Sequence, residues 1–224
     1  MTAISLSTGQ RILIIVALLM VLWYVIGTWY SRRKGIRTFN WLREGLHLLG
    51  EQLQAGWIGS AASGARIAVN KPNPPFRELE TTFLLESREL LPVWVVNLLR
   101  GRRDELIIKA HLRSLRQGEI EVAPAGSRLA RSLRQEAQSS WRWQEGPHSL
   151  HIAHRGRDGE ALSAAALPFL RIYGRSVRRF SWRRDRPHVL IQMRLAGLTD
   201  FSCSGFVTDL TSVFTQTRQT TEDE

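Results

Sequence analysis

The chain has 224 residues, a formal net charge of +11, 43% hydrophobic and 23% charged residues, and one cysteine. That length holds one ordinary domain with an attachment, or at most two small domains, and the composition is globular rather than disordered. The single Cys203 excludes an intramolecular disulfide and any multi-cysteine zinc site, and a disulfide-free chain suits a reducing compartment.

Of the 31 cations, 28 are Arg. Such a bias follows nucleotide composition as readily as function, so the distribution of charge is more informative than its total. Residues 1–37 hold Arg11, Arg32, Arg33, Lys34 and Arg37 and no acid, while 171–186 hold seven Arg against Asp185. The rest of the chain is close to neutral.

Residues 12–30, ILIIVALLMVLWYVIGTWY, carry no charge. As a helix they span roughly 28 Å, close to the hydrocarbon thickness of a bilayer. A core helix would show a polar face, and this run has none. A cleaved signal has a positive start, a shorter apolar region and small residues at its end, and this run is long and ends in bulky aromatics. The reading is an uncleaved transmembrane helix. Trp29 and Tyr30 fit the headgroup belt, and Arg32, Arg33, Lys34 and Arg37 follow directly. Four cations here against Arg11 on the other side predict a cytoplasmic C-terminal side and a short extracytoplasmic N-terminus, 1–11. The same cations are expected on anionic headgroups of an inner (plasma) membrane.

Residues 31–55 form a basic juxtamembrane segment and then an amphipathic helix over 38–54, with Phe39, Leu42, Leu46, Leu49 and Leu53 as one stripe. Three roles fit it: a helix in the domain core, a helix lying in the headgroup plane, or a dimer seam. The stretch 56–64, GWIGSAASG, reads as a hinge, and the domain proper is expected over 56–214. ARIAVN (65–70) reads as a short strand and KPNPP (71–75) as a loop. Leu79, Thr81, Phe83 and Leu85 alternate as in a half-buried strand. ELLPVWVVNLLR (89–100) predicts a short helix with Pro92 in its first turn and Gly101 beyond its end. Leu106, Ile108, Ala110 and Leu112 alternate inward, and the following QGE and IEVAP predict a hairpin. Ser127 caps a helix over 127–138. HSLHIAHRG (148–156) is a strand. LPFLRIYGRSVRRFSWRR (167–184) reads as a second helix opened by proline, followed by a strand over 183–195. Both copies run LP, helix, RRD, strand, either as a degenerate strand–helix–strand duplication or by coincidence in an Arg-rich chain. SGFVTDLTSVF fits a helix or a strand, and 215–224 reads as a disordered tail. Helices mixed irregularly with strands predict an α+β domain.

No phosphate loop, dinucleotide fingerprint, HExxH, CxxC or GxSxG occurs, which removes the simple nucleotide-binding, zinc-protease and hydrolase signals. No cofactor is implied and no catalytic residue is assigned. His148, His151 and His154 form HxxHxxH, but a strand there puts His151 and His154 on opposite faces, against a metal site. Ser31 and Lys34 match a serine–lysine spacing inside a cluster that membrane topology already explains. Cys203 has no assignable base. The acid pairs Asp104–Glu105, Glu119–Glu121 and Asp158–Glu160 read as solvated charges at turns and strand surfaces.

The remaining signal is the second basic cluster. On a helix over 167–181, Leu170, Tyr173, Val177 and Phe180 form one stripe and Arg171, Arg175 and Arg178 another, extended by Arg179, Arg183 and Arg184. This candidate contact face suits a solvated helix surface, anionic lipid or an acidic protein partner. Nucleic acid ranks last, because no binding motif accompanies the arginines. The functional expectation is a single-pass membrane protein whose cytoplasmic domain is a non-catalytic scaffold or accessory subunit of a membrane-associated complex. Its alternatives are a membrane-tethered enzyme, which a deep polar pocket gathering His111, His188 or carboxylates would favour, and a tethered nucleic-acid binder.

Overall fold

A computed structural model describes residues 7–136 and 141–219. The chain folds as α+β, with one nine-stranded antiparallel sheet and one long apolar N-terminal helix.

Helix α1 runs unbroken over Thr8–Leu46. Ser7 opens it with a capping box: Gln10 N–H donates to its hydroxyl at 3.4 Å, and its own N–H donates to Gln10 Oε1 at 2.9 Å. The first half is long and apolar enough to cross a membrane and is almost wholly exposed. The second half belongs to the domain: Leu42, Leu46 and, in the 3-10 turn that follows, Leu49 are buried. Of the three roles open to this segment, it takes the core one, but as a continuation of the apolar helix. It also ends earlier than expected, because strand β1 already occupies Gln52–Trp57.

The sheet continues with β2 (Gly64–Asn70), β3 (Phe76–Leu84), β4 (Glu105–Leu112), β5 (Gly118–Pro124), β6 (Arg142–Glu145), β7 (Leu150–Gly156), β8 (Val177–Trp182) and β9 (Val189–Arg194), in the order β1-β2-β3-β4-β9-β8-β5-β7-β6. The expected hinge at 56–64 is instead the turn of the β1–β2 hairpin, registered by Trp57 opposite Ala65. No flexible joint therefore separates α1 from the sheet. β4 and β5 do not form the expected hairpin. β9 and β8 lie between them, and β4 pairs with β9 while β5 pairs with β8 and β7. The turn signal at QGE is local, whereas strand partners are chosen by which apolar faces meet in the core.

Helix α2 (Leu91–Leu99) connects β3 to β4. Helix α3 (Arg128–Glu136) starts at Ser127, whose hydroxyl accepts the Ala130 N–H at 3.0 Å. Helices α4 (Gly159–Tyr173) and α5 (Cys203–Gln219) pack with the end of α1 over the inner sheet face. That face is apolar by strict alternation: Ile67, Leu79, Phe83, Leu106, Ile108, Ile120, Val122, Ile152, Phe180 and Ile191 are all buried. Phe169 of α4 meets Phe180 of β8 and Phe206 of α5, joining the three layers of contact.

The expected helix over 167–181 is a helix end and a strand. The Ala-rich stretch before Leu167 propagates α4 through Pro168, which removes one helical hydrogen bond without stopping the helix. The helix ends at Gly174, and the β-branched and aromatic residues of VRRFSW then form β8. The two LP…RRD segments are not equivalent, because 102–104 lead from α2 into β4 while 183–185 connect β8 to β9. Residues 215–219 continue α5, and 220–224, like 1–6 of the expected N-terminal segment, lie outside the described residues.

Candidate functional site

The buried seam of α1 consists of Gly27, Ser31, Gly35, Thr38, Leu42, Gly45 and Leu46. Its spacing of three and four places small residues on one face, where backbone approaches closely. A Cβ at Gly27 would collide with the Arg88 carbonyl oxygen, and at Gly35 with that of Ala61. The seam begins inside the uncharged run and ends in the domain core. Segment 85–104, including α2, extends past the sheet and packs along α1 at the upper end of that seam.

Four contacts hold it there. Trp23 Nε1 donates to the Arg88 carbonyl at 3.0 Å, and the Trp23 and Trp94 rings lie 5.6 Å apart. The Arg88 guanidinium lies over the Tyr30 ring and reaches the Ser31 hydroxyl at 3.4 Å. The fourth is a buried carboxylate. Asp104 accepts from Lys34 Nζ at 2.6 Å, from the Glu86 N–H at 2.7 Å and from Arg88 at 2.9 Å. Burial pushes its pKa up, but the bonds from Lys34, Glu86 N–H and Arg88 outweigh that and hold it below the usual carboxylate value. Sequence reading treats Asp104 as a solvated turn acid and overlooks Arg88. The available signal was the small-residue spacing of Gly27, Ser31 and Gly35, which marks a face that something must cover.

Of the residues expected at a membrane interface, Trp29, Tyr30, Arg32, Arg33 and Arg37 are exposed, with Arg33 stacked 5.4 Å over Trp29. Lys34 departs from the group by turning inward to Asp104. Between this surface and the chain after β9 lies a cleft of about 460 Å³ lined by Trp29, Tyr30, Arg33, Lys34, Arg37 and Gly197, among others. Its cations and aromatic rings suit an anionic group with an apolar neighbour.

The second basic cluster is divided by the fold. Arg171 ends α4 and Arg175 lies in the following turn, both exposed. On β8, Arg178 pairs with Glu105 at 3.0 Å and donates to the Gly101 carbonyl at 2.9 Å. Arg179 and Arg183 converge on the fully buried Glu121, at 3.0 and 2.6 Å, where the Ser181 hydroxyl also donates at 2.5 Å. The Arg184 N–H donates to Glu119, which Arg155 also binds. Arg178, Arg179 and Arg183 therefore satisfy carboxylates of the same chain, and no helical arginine stripe forms. Glu121 accepts from three side chains, so its buried carboxylate is well satisfied.

The histidines are spread over the fold, with His111 and His188 in one pair and His154 in a polar cleft beside Glu160. His111 and His188 stack edge to face at 5.3 Å, and His188 Nδ1 accepts the Leu112 N–H at 3.1 Å. Burial, then the neighbouring His111 and Arg186, push the His188 pKa down. His151 faces Arg134 on the outer side of β7, while His154 is buried against Gly159 beneath α4. His148 bonds the Arg171 carbonyl at 2.9 Å from a turn. Among the described residues no three His, Cys, Asp or Glu side chains group to hold a metal. Ser31 and Lys34 each engage another partner, Arg88 and Asp104. Cys203 is buried against Gly45, and burial pushes its thiol up to about 12, so little thiolate forms at neutral pH.

The described geometry is thus a charged and aromatic collar around α1, tied to the sheet through Asp104. No protein-family model matches the chain, and no curated protein is similar to it in sequence.

Proposed function

We propose that the chain is a single-pass membrane protein in which α1 crosses the bilayer with its N-terminus outside, and whose cytoplasmic domain serves as a non-catalytic scaffold or accessory subunit of a membrane-associated complex. One observation carries this reading: α1 passes without a break from an exposed apolar half into the domain core. A tether would need only a flexible linker. A continuous helix clamped at Gly27, Ser31, Gly35 and Asp104 instead holds the sheet in one orientation relative to the bilayer, which is useful when the domain must present a surface. The collar of Arg32, Arg33 and Arg37 lies where anionic headgroups would meet it, and each cation there adds on the order of 1 kcal/mol.

Crosslinking of the full-length protein in its native membrane, followed by affinity purification and mass spectrometry, tests the role. A recurrent partner at near-stoichiometric yield supports a scaffold or accessory subunit; recovery of the protein alone counts against it. Reporter fusions test the topology separately, and a C-terminal fusion active only outside the cytoplasm would overturn the orientation.

A further inference from the structure

We propose that α2 is a second membrane-inserted element, seated among the acyl chains of the leaflet on the domain side, against the spanning half of α1. The inference rests on the reading of α1 as a bilayer-spanning helix.

The sequence of α2 is LPVWVVNLL, and none of its residues is buried. Val93 is 48% exposed, Val96 44% and Leu99 81%. A surface helix of a soluble domain hides one stripe and shows polar residues on the other. Here the single polar side chain, Asn97, turns inward to bond Glu86, so the exposed surface is wholly apolar. Water is the wrong solvent for such an element, and its fold neighbours do not cover it.

What covers it follows from its position. The Arg88 carbonyl and Trp94 contact α1 at Trp23 and Gly27, within the uncharged run rather than beyond it. Trp23 precedes Tyr30 by seven residues, about 10 Å of helix rise. Leu90 and Leu91 share with Val16, Leu19, Met20 and Glu89 a mainly apolar cavity of about 540 Å³. The surface of α2 is therefore continuous with the surface of α1 that faces acyl chains. Charges mark both ends of the element, Glu89 before it and Arg100, Arg102 and Arg103 after it. An apolar segment too short to span suits a seat within one leaflet, with the arginines after it at the polar boundary. One consequence follows: the domain is held at two points, which prevents rotation about α1.

The test uses the full chain in phosphatidylcholine–phosphatidylglycerol vesicles containing lipids spin-labelled either near the headgroup or near the acyl terminus. Single cysteines replace Leu99, Val95, Leu18 of α1, or Leu115 of the β4–β5 loop, and carry an environment-sensitive fluorophore; Cys203, being buried, supplies the labelling background in the unsubstituted chain. Leu99→Cys removes an exposed side chain, so the fold is preserved. The expected result is blue-shifted, lipid-quenched emission at 99 and 95, strongest with the shallow label, quenching at 18, and none at 115. Quenching at 18 without quenching at 95 and 99 overturns the placement of α2 and leaves the anchor standing. No quenching at 18 overturns the anchor as well. Blue-shifted but unquenched emission at 95 and 99 means that protein, a second copy or another chain, covers α2, and this too overturns the proposal.

Discussion

At Asp104 a single carboxylate decides whether two cations near α1 are compensated. Lys34 and Arg88 are 25% and 17% exposed, so Asp104→Asn leaves partly buried charge unpaired, and the expected loss lies at the lower end of about 3–5 kcal/mol. Chemical unfolding of the full-length protein in detergent measures it. The pH dependence has a definite sign. The folded pKa lies below the unfolded value of 3.8, so the stabilisation is complete above that value and is lost as pH falls through the folded pKa. Unfolding midpoints of the wild type should fall below about pH 4, and those of Asp104→Asn should fall less steeply; parallel curves would remove Asp104 from the account. Glycines offer a second contrast. A Cβ at Gly35 meets the Ala61 carbonyl, a backbone atom that cannot swing aside, whereas one at Gly56 meets nothing. Gly35→Ala should lower stability by about 1–3 kcal/mol, as overpacking does, while Gly56→Ala should stay within about 0.5 kcal/mol of wild type. Thermal melts of the two variants side by side decide the matter.

The elements differ in what holds them. Strands β2–β5 and β7–β9 and the helices α4 and α5 are held by burial, whereas β1 and β6 are mostly exposed and α3 begins with the Ser127 cap. Ser127→Ala should therefore cost about 1 kcal/mol, and hydrogen exchange should show the loss in the amides of the first turn of α3 before the rest of the domain. Uniform loss of protection across the sheet would mean that the cap is coupled to the whole domain rather than to α3 alone. Helix α1 is the opposite case. Its upper half is mostly exposed, with Val16, Leu19 and Met20 sharing a cavity with Leu90 and Leu91, and its lower half enters the core, yet the seam passes through both. The sheet is attached directly to that lower half, since 47–51 between α1 and β1 is only a 3-10 turn and a short bend.

For the whole molecule, the collar at residues 29–37 predicts a lipid preference. Gln at positions 32, 33 and 37 together should weaken selection of anionic over zwitterionic lipid by roughly 3 kcal/mol at low ionic strength, with little change in unfolding midpoint, because these three side chains are exposed. Native mass spectrometry of lipid adducts, repeated at rising salt before transfer, reads this; an unchanged preference would assign the collar to a protein partner or to no ligand. Lys34 is left out of that variant deliberately, since its ammonium serves Asp104.

Much of the architecture is legible in the chain, because it rests on local periodicity. The apolar run at 12–30, the alternation of Leu79, Phe83, Leu106 and Ile108, Pro92 at the start of α2 and Ser127 at the start of α3 each depend on residues a few positions apart. The α+β character follows from them. Elements whose state depends on distant partners were not legible. VRRFSW continues a helical pattern as readily as it forms a strand, and only the space between β9 and β5 makes it β8. QGE looks like a hairpin turn, but the apolar faces of β9 and β8 displace β5 from β4. Arginines at 178, 179 and 183 look like an open basic face until Glu105 and Glu121, far away in sequence, neutralise them. The sequence by itself determined the apolar helix, the charges that flank it and most strand positions, since hydrophobic period and charge are carried by neighbours along the chain. Only the tertiary structure decided strand order, the pairing of Asp104 with Lys34 and Arg88, and the seating of α2 on α1, since each needs groups that only folding brings together.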